Sequence, residues 1–238
     1  MLNHPIKTII FDLDGTLRYN SPSADDVQYQ LALDLGVPDE PGRQRKGTRW
    51  SHYYWAQSSE LMGDQEKFGK MNEPFWINYC YRYILSLDVP DNIAADLSSD
   101  LCQLMDEKFK PDDKLFPQVP EILQFLKDSG YTLGLVSNRS QPCQEHCEEL
   151  GLLDYFDFAY VAAEVNVWKP DPRIFDRAFK ITGHPPEQTV YVGDNYYADI
   201  RGAQNACMQP ILFDQYSVFP EADCTVIKSI QDLRSLFV

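Results

Sequence analysis

The sequence has no long apolar segment. None of its runs approaches the ~18 uninterrupted apolar residues that a membrane-spanning helix needs. The stretch from Met1 to Lys7 lacks a charged segment followed by an apolar one, which is the pattern of a secretory signal peptide. We therefore expect a cytoplasmic protein that is not exported and has no membrane partner.

Basic residues are also scarce. Lysine and arginine number 21 against 36 aspartates and glutamates, which gives a net charge of −15. Proteins that bind the phosphate backbone of nucleic acids need clustered Lys and Arg, so we expect no nucleic-acid partner. The negative charge also opposes the approach of a phosphorylated molecule. A site for such a molecule would need local cations or a bound metal ion.

The six cysteines form no Cys-x-x-Cys pair and are scattered along the chain, as expected for reduced thiols in a cytosolic protein. Cys143, His146 and Cys147 could share one face of a helix and bind a soft metal ion. A closed structural site needs four ligands, however, and the sequence offers no fourth nearby. We favour half-buried thiols at a helix edge.

Two parts of the chain differ in their patterns. From Leu115 onward, short apolar runs alternate with helical spacings, which predicts a mostly parallel sheet with helices on both faces. The segment from about Tyr19 to Asp113 has no convincing strand pattern. Helical spacings recur there at Val27–Leu35, Arg49–Leu61, Phe75–Leu87 and Ile93–Phe109.

The segment Thr8–Leu17 carries the strongest local signal. Its apolar residues predict a buried strand that ends at two carboxylates, Asp12 and Asp14, followed at once by Gly15 and Thr16. Ligands of open α/β sheets bind at the carboxyl ends of the strands. Two acids at that end can bind a hard cation, and one can attack phosphorus. The alternative is an edge strand that runs into an acidic turn.

Three later segments place polar residues in similar positions. A second apolar strand ends at Ser137, and Lys169 stands before a helix that begins at a proline. A third apolar strand ends at Asp194, and a further acid, Asp199, follows. In this order, the four segments resemble the four motifs of the haloacid dehalogenase-like (HAD) hydrolase superfamily. The resemblance covers the first residues and the chain from about Leu115 to its end.

The resemblance implies an α/β fold, with a Rossmann-like core built on a mostly parallel sheet and an inserted helical cap, as in subfamily I. The core would comprise residues 1–17 and 115–238, and the cap residues 18–114. The connecting segments, near Leu17–Pro22 and Lys110–Leu115, would act as hinges.

The resemblance also assigns roles that agree with the chemistry of the side chains. Asp12 would be the nucleophile, and Asp14 the general acid and base. Asp12, the backbone carbonyl of Asp14, and Asp194 would bind Mg²⁺. Ser137 would hydrogen-bond the transferring phosphoryl group, and Lys169 would hold its oxygens and the Asp12 carboxylate.

Further residues complete the expected site. Asp199 would orient Lys169 or a metal-bound water, although an acid near a helix start is common in its own right. Ser137 and Lys169 have ordinary alternatives: a hydroxyl that satisfies its own strand end, and an exposed lysine. Substrate or phosphate would be bound by Gly15, Thr16, Asn138 and Arg18. A surface role for Arg18 is equally compatible with the sequence.

These residues favour a Mg²⁺-dependent phosphatase that hydrolyses a small phosphorylated metabolite through an aspartyl-phosphate on Asp12. The dehalogenases of the superfamily lack an acid at the position of Asp14, because a halide leaves without a proton. A phosphomutase needs the same pair of acids, and a catalytically idle HAD fold that binds or regulates is the alternative from another class. We expect a monomer or a homodimer.

Specificity would reside in the expected cap, where the patterns are weaker. The basic segment Arg43–Arg49 could bind a second anionic group of the substrate, but we favour a solvated loop because charge runs usually face water. Several cap aromatics could stack a nucleobase, but their helical spacing favours the core of the cap. These aromatics are Trp50, Tyr53, Tyr54, Trp76, Tyr79 and Tyr83.

Two positions depart from the usual family pattern. Many phosphatases of this subfamily carry an aspartate a few residues after the first motif, whereas this chain continues with Arg18, Tyr19 and Asn20. This departure leaves the substrate open. A glycine is common where Cys207 stands, and we expect that difference to affect packing.

Overall fold

The chain forms two compact units in a computed structural model that describes residues 5–69 and 71–237. One unit comprises Met1–Tyr19 and Lys114–Val238, and the other comprises Asn20–Asp113. The predicted boundaries lie within two residues of these limits, and the assignment of the second unit as a cap stays a prediction. Across the described residues, no helix has the length and apolar character needed to span a membrane.

A six-stranded sheet forms the centre of the first unit. The strands of the chain are β1 (Thr8–Phe11), β2 (Arg18–Ser21), β3 (Asp112–Leu115), β4 (Thr132–Ser137), β5 (Phe158–Val161), β6 (Thr189–Gly193), β7 (Gln209–Phe213) and β8 (Thr225–Ile227). Six of them are ordered β5-β4-β1-β6-β7-β8, and each neighbouring pair is parallel. The predicted Rossmann-like α/β fold with a mostly parallel sheet is confirmed.

Strand β1 lies in the middle of this sheet, between β4 and β6, and all four of its residues are buried. Ile9 and Phe11 belong to the apolar core on one face, whereas Ile10 belongs to the core on the other face. Alternate residues of a strand point to opposite faces, so a strand covered on both sides must be apolar throughout. Because β1 lies at the centre of the sheet, the polar residues that follow it begin at the middle of the sheet's carboxyl edge.

The described residues of the second unit form five helices: α1 (Ala24–Asp34), α2 (Arg43–Trp55), α3 (Ser59–Phe68), α4 (Glu73–Ser86) and α5 (Asp91–Lys108). The side chains of Ser23, Ser58 and Asn72 accept backbone N–H groups at the starts of α1, α3 and α4. Such caps satisfy N–H groups that have no partner inside the helix. The described residues between Tyr29 and Leu104 contain no strand.

The core of the helical unit is aromatic. Tyr54, Tyr79 and Tyr83 are buried, and the indole ring of Trp50 packs against all three of them. The preference for packing over nucleobase stacking is therefore supported at these four positions. Trp76 is more exposed and lines a half-open cavity of about 800 Å³ within this unit.

The basic segment Arg43–Arg49 is not the solvated loop that the charge run predicts. It forms the first half of α2, and Arg43 is buried, with Nη1 donating to the carbonyl of Pro38 at 2.6 Å. Arg43 also pairs with Glu40, and Lys46 pairs with Asp88. The segment is thus helical rather than a loop, and Arg43 and Lys46 have partners inside the same unit, but Gln44, Arg45 and Lys46 remain exposed to solvent.

The helices of the first unit are α6 (Val119–Asp128), α7 (Gln144–Glu149), α8 (Ala162–Val165), α9 (Asp176–Thr182), α10 (Arg201–Asn205) and α11 (Leu233–Leu236). Short 3₁₀ turns lie at Leu153–Tyr155, Pro172–Phe175, Pro186–Gln188 and Ile230–Asp232, and a π turn at Tyr196–Ile200 leads into α10. After α10, Cys207 has a φ of 59°, in the left-handed region that favours glycine. Cys207 therefore stands at a position whose backbone conformation suits glycine, and the expected packing effect did not anticipate this backbone cost.

The two segments predicted as hinges contain short strands. Strands β2 and β3 pair with each other in a sheet of two strands. Their sequences, Arg-Tyr-Asn-Ser and Asp-Asp-Lys-Leu, lack the apolar alternation of a half-buried strand. The sequence therefore gave no signal for them.

Candidate active site

The site begins where β1 ends. The backbone N–H of Asp12 donates to the carbonyl of Val192 at 2.9 Å, so Asp12 continues the ladder between β1 and β6. A tight turn follows, in which Leu17 and Arg18 both donate to the carbonyl of Leu13 at 3.0 Å. The turn directs the next polar side chains to the carboxyl edge of the sheet, which is the usual ligand site of such folds.

Two glycines allow the carboxylates to approach the backbone. Gly15 has a φ of 83°, and a Cβ built there would lie 2.3 Å from Oδ2 of Asp194. A Cβ on Gly193 would lie 2.4 Å from Cγ of Asp199. Thr16 donates from its hydroxyl to Oδ1 of Asp194 at 3.2 Å. The first and last motifs are therefore in close contact here, and a side chain at either glycine would collide with one of these carboxylates.

Lys169 connects the motifs from within the protein. Its side chain is buried, and Nζ donates to Oδ1 of Asp12 at 2.6 Å, to Oδ1 of Asp199 at 2.7 Å and to the Tyr191 hydroxyl at 2.7 Å. The Tyr191 hydroxyl donates in turn to the carbonyl of Val136 at 2.7 Å. The alternative of an exposed lysine is wrong, because this ammonium has three close partners.

The second motif also holds Lys169, through its backbone. Asn138 donates from Nδ2 to the Lys169 carbonyl at 2.9 Å and accepts the Lys169 N–H at Oδ1 at 2.7 Å. Ser137 is buried at the end of β4, where it is in register with Val161 of β5. Asn138 therefore lies against the backbone of Lys169, and the phosphoryl contacts expected of Ser137 and Asn138 stay predictions.

Three carboxylates converge at this edge. Within residues 5–69 and 71–237, one group of three potential metal ligands comes together: oxygens of Asp12, Asp194 and Asp199 lie within 4.8 Å of one another. With the Lys169 ammonium, these groups carry two net negative charges when ionised. Cys143, His146 and Cys147 form no such group, so the soft-metal alternative has no support in the described residues, and all six cysteines are free.

Burial and repulsion shape the protonation of these acids. Burial raises the pKa of Asp12 well above its ordinary range, Lys169 lowers it in part, and Asp199 and Asp194 raise it further. Burial and then Asp199 likewise raise the pKa of Asp194. Burial alone would lower the pKa of Lys169, but Asp12 and Asp199 raise it, and the net pKa lies above its ordinary value. The cluster is thus short of positive charge.

Asp14 has different partners. Arg139 donates from Nε to Oδ2 and from Nη2 to Oδ1 of Asp14, both at 2.6 Å, and Arg18 donates from Nη1 to Oδ1 at 2.8 Å. Burial would raise the pKa of the Asp14 carboxyl, but these two guanidinium groups outweigh it and lower the pKa. The structure places Arg18 as a buried residue, so the alternative of an exposed surface arginine is wrong.

Sequence reasoning missed two residues of this site. Arg139 follows the second motif directly, and the rule that strand ends share one edge of the sheet could have found it. Tyr191 lies inside the apolar strand β6, where an aromatic residue reads as ordinary core. No local signal shows that its hydroxyl contacts Lys169.

Asp12 at the end of β1, Asp194 at the end of β6 and Asp199 converge at the carboxyl edge of the parallel sheet, and buried Lys169 bridges Asp12 and Asp199. This is the arrangement expected of the class of hydrolase that the motifs resemble. The chain belongs to the haloacid dehalogenase-like hydrolases, whose family model matches residues 6–206. The predicted family is confirmed, and so is the prediction of an enzyme of the phosphatase type.

Three similar proteins illustrate this membership. Glyceraldehyde 3-phosphate phosphatase of Methanopyrus kandleri is 30% identical over 210 residues, which cover 85% of this chain and 82% of that protein. Phosphoserine phosphatase of Thermus thermophilus is 31% identical over 248 aligned positions, with 98% of each chain covered. The crystal structure of a HAD phosphatase from Thermococcus onnurineus is 25% identical, with a TM-score of 0.55 and 97% of each chain covered.

Proposed function

We propose that this protein is a Mg²⁺-dependent phosphatase that hydrolyses a small phosphorylated metabolite through a phosphoryl group carried by Asp12. The observation that supports this most is the bridge from Lys169 to Asp12 and Asp199. It holds a buried carboxylate at the end of the central strand in one orientation. The two phosphatase relatives named above support the substrate class.

The first step is transfer of the phosphoryl group to the enzyme. Oδ1 of Asp12 accepts from Lys169, so we assign the attack on phosphorus to Oδ2. The bond from Oδ2 to phosphorus forms while the bond from phosphorus to the leaving oxygen breaks. The lysine keeps Asp12 in place and offsets part of the charge that both reactants bring together.

Asp14 moves the protons. It donates a proton to the leaving alcohol and later takes one from the water that attacks the phosphorylated Asp12, which releases inorganic phosphate. In the present conformation its carboxylate is bound by Arg139 and Arg18, in its ionised form. To act as an acid, Asp14 must exchange at least one of these partners when substrate binds.

The donor set fits a magnesium ion. Carboxylate oxygens are the ligands that this hard cation prefers, and the close approach of Asp194 to Gly15 places that acid beside the turn that carries Asp14. Asp12, Asp194 and the Asp14 carbonyl would hold the ion, with Asp199 orienting Lys169. When bound, the ion supplies positive charge that lets a phosphate ester approach these acids and offsets the charge that develops during transfer.

The Asp12→Asn variant tests the proposal. We expect p-nitrophenyl phosphate turnover to fall about 10³-fold or more, because the amide cannot attack phosphorus. Circular dichroism should stay unchanged. Treatment of the wild type with EDTA should abolish activity, and added Mg²⁺ should restore it. Rapid acid quenching during turnover should leave one phosphoryl group on the wild-type chain by mass spectrometry and none on the variant.

The same experiments separate the alternatives. Normal turnover by Asp12→Asn, or activity that survives EDTA, would contradict the mechanism or the metal. A phosphomutase would return an isomerised phosphate ester rather than free phosphate. An idle fold would release phosphate from none of the substrates tested.

A further inference from the structure

Tyr191 carries a hydroxyl at a position where packing asks only for an aromatic ring. The residue is fully buried in β6 and belongs to the same apolar core as Ile10 and Val136. A hydroxyl in such a place is costly unless it is hydrogen-bonded, whereas phenylalanine would fill the same space without that requirement. Packing alone therefore does not account for the hydroxyl.

The hydroxyl of Tyr191 has a fixed direction. It donates its one proton to the carbonyl of Val136 at 2.7 Å, which leaves its lone pairs to accept from Nζ of Lys169, also at 2.7 Å. Burial, followed by Asp199 and Asp12, raises the pKa of Tyr191 well above its ordinary value, so the hydroxyl keeps its proton. Lys169 thus has a neutral acceptor in addition to its two carboxylates.

The side chain of Tyr191 also spans the central strand. Strand β1 lies between β4 and β6. Tyr191 belongs to β6 and is in register with Ile10 of β1, yet its hydroxyl donates to Val136 of β4. The tyrosine therefore links the two strands on either side of β1. These three strands end at the first, second and fourth motifs.

Lys169 depends on a third acceptor because of the nature of its side chain. An ammonium is a compact charge with three protons on a flexible four-carbon stem. Asp12 and Asp199 accept two of these protons. The carbonyl of Val136 lies 3.4 Å from Nζ, beyond the usual range of such a bond. Without the Tyr191 hydroxyl, we expect Lys169 to move toward that carbonyl and away from Asp12.

A displaced lysine would affect phosphoryl transfer more than substrate binding. Lys169 holds Asp12 through Oδ1, so a shift of the ammonium changes the direction from which Oδ2 meets phosphorus. A misplacement of about 1 Å can cost about 10²-fold in rate. Tyr191 itself is fully buried, so it acts through Lys169 rather than on the substrate.

We propose that Tyr191 is a positioning residue for phosphoryl transfer: its hydroxyl keeps the Lys169 ammonium against Asp12, so that Oδ2 of Asp12 stays aligned for attack on phosphorus. This inference rests on the proposed phosphatase function. The four motifs described above do not include this tyrosine.

The Tyr191→Phe variant tests the proposal, because it removes the hydroxyl and keeps the ring that packs against Phe175. With p-nitrophenyl phosphate and saturating Mg²⁺, we expect kcat to fall about 10- to 100-fold while KM changes less than about twofold. An unchanged kcat would overturn the proposal. A loss confined to KM would also overturn it, because the hydroxyl would then support substrate binding rather than the transfer step.

Tyr160 provides a matched control in the same core. It is likewise buried, in β5, and its hydroxyl donates to the carbonyl of Ile174 at 2.7 Å. Among the described residues, it has no hydrogen bond to Lys169. Tyr160→Phe and Tyr191→Phe should therefore lose similar stability in urea, but only Tyr191→Phe should lose activity. Equal losses of activity would overturn the proposal, because a general packing defect would explain both.

A second variant separates the two hydrogen bonds of Tyr191 and replaces the first if Tyr191→Phe is unstable. In Tyr191→4-aminophenylalanine, the aromatic amine still donates to the Val136 carbonyl, but its lone pair is delocalised into the ring and accepts poorly. We expect stability close to that of the wild type and a fall in kcat like that of Tyr191→Phe. A wild-type kcat would overturn the proposal, since the link to β4 would then matter rather than the contact with Lys169. Failure of the wild type to hydrolyse p-nitrophenyl phosphate would instead contradict the phosphatase function.

Discussion

Two charged groups lie within one site, and they are opposite in almost every respect. The first brings Asp12, Asp194 and Asp199 together, with Lys169 bridging Asp12 and Asp199; it is mostly buried and carries two net negative charges when ionised. The second joins Asp14 to Arg18 and Arg139, and it is partly exposed. The same residue type has a raised pKa in the first group and a lowered one in the second. Partners, rather than residue type, decide what an aspartate does.

The largest effect should follow removal of the only cation in the buried group. Lys169→Met leaves Asp12 and Asp199 buried without their ammonium partner, and we expect the free energy of unfolding to fall by about 3–5 kcal/mol. Urea denaturation without divalent metal measures this loss. Lys180→Met, at an exposed lysine, should change little. An equal loss in both variants would mean that the buried group does not depend on its lysine.

The second largest effect should be a loss of activity when the close contact between Gly15 and Asp194 is disturbed. Gly15→Ala should displace Asp194 and lower kcat/KM about 10²-fold, because small misplacements of catalytic groups are costly. Gly130→Ala is a matched control, since φ is 86° there but nothing lies within 4 Å of its Cβ. Both variants should lose about 1–2 kcal/mol of stability from left-handed backbone strain. Only Gly15→Ala should lose activity on p-nitrophenyl phosphate; unchanged activity would show that Asp194 need not stay beside the turn.

The smallest expected effect is a change in the free energy of unfolding when one aspartate of each group is neutralised. The change has opposite signs in the two groups. The raised pKa of Asp194 means that its ionised form destabilises the fold, so Asp194→Asn should gain about 1–2 kcal/mol at pH 7 without metal. That gain should shrink as pH falls through the raised folded value. The lowered pKa of Asp14 means that its ionised form stabilises the fold, so Asp14→Asn should lose up to about 1 kcal/mol at this exposed pair. That loss should shrink as pH falls below the ordinary carboxyl pKa and disappear once pH passes the lowered folded pKa of Asp14.

Thermal unfolding of both variants from pH 3 to 8 measures these changes. At the proposed metal site, Mg²⁺ should stabilise the folded wild type and should stabilise Asp194→Asn much less. A change of the same sign in both variants would remove the contrast between the two groups.

The buried group could be predicted from the sequence, and so could Asp14 and Arg18 of the exposed group, whereas the contact between Arg139 and Asp14 could not. Asp12, Lys169 and Asp194 stand next to strand ends or a helix start, and parallel strands bring their carboxyl ends to one edge of the sheet. Arg139 contacts a residue 125 positions away, and its spacing says nothing about which carboxylate it meets. Side-chain contacts between residues so far apart in the chain depend on tertiary packing. Hydrophobic periodicity and secondary-structure propensity do not reveal such contacts.

The same limit applies to the fold. The strands of the sheet were predictable because continuous apolar runs mark strands buried on both faces. The basic segment Arg43–Arg49 was predicted as a loop because its charges indicated exposure to solvent. Instead, α2 begins at Arg43, whose side chain donates to the carbonyl of Pro38. Strands β2 and β3 are polar and short, so their pairing left no pattern to detect.

The three close partners of Lys169 have a consequence for the end of the catalytic cycle. An ammonium has three protons, and Asp12, Asp199 and Tyr191 each accept one within 2.7 Å. A departing inorganic phosphate can gain a strong hydrogen bond from this lysine only if one of these contacts breaks. The lysine therefore adds little to product affinity, which favours rapid product release and weak inhibition by inorganic phosphate.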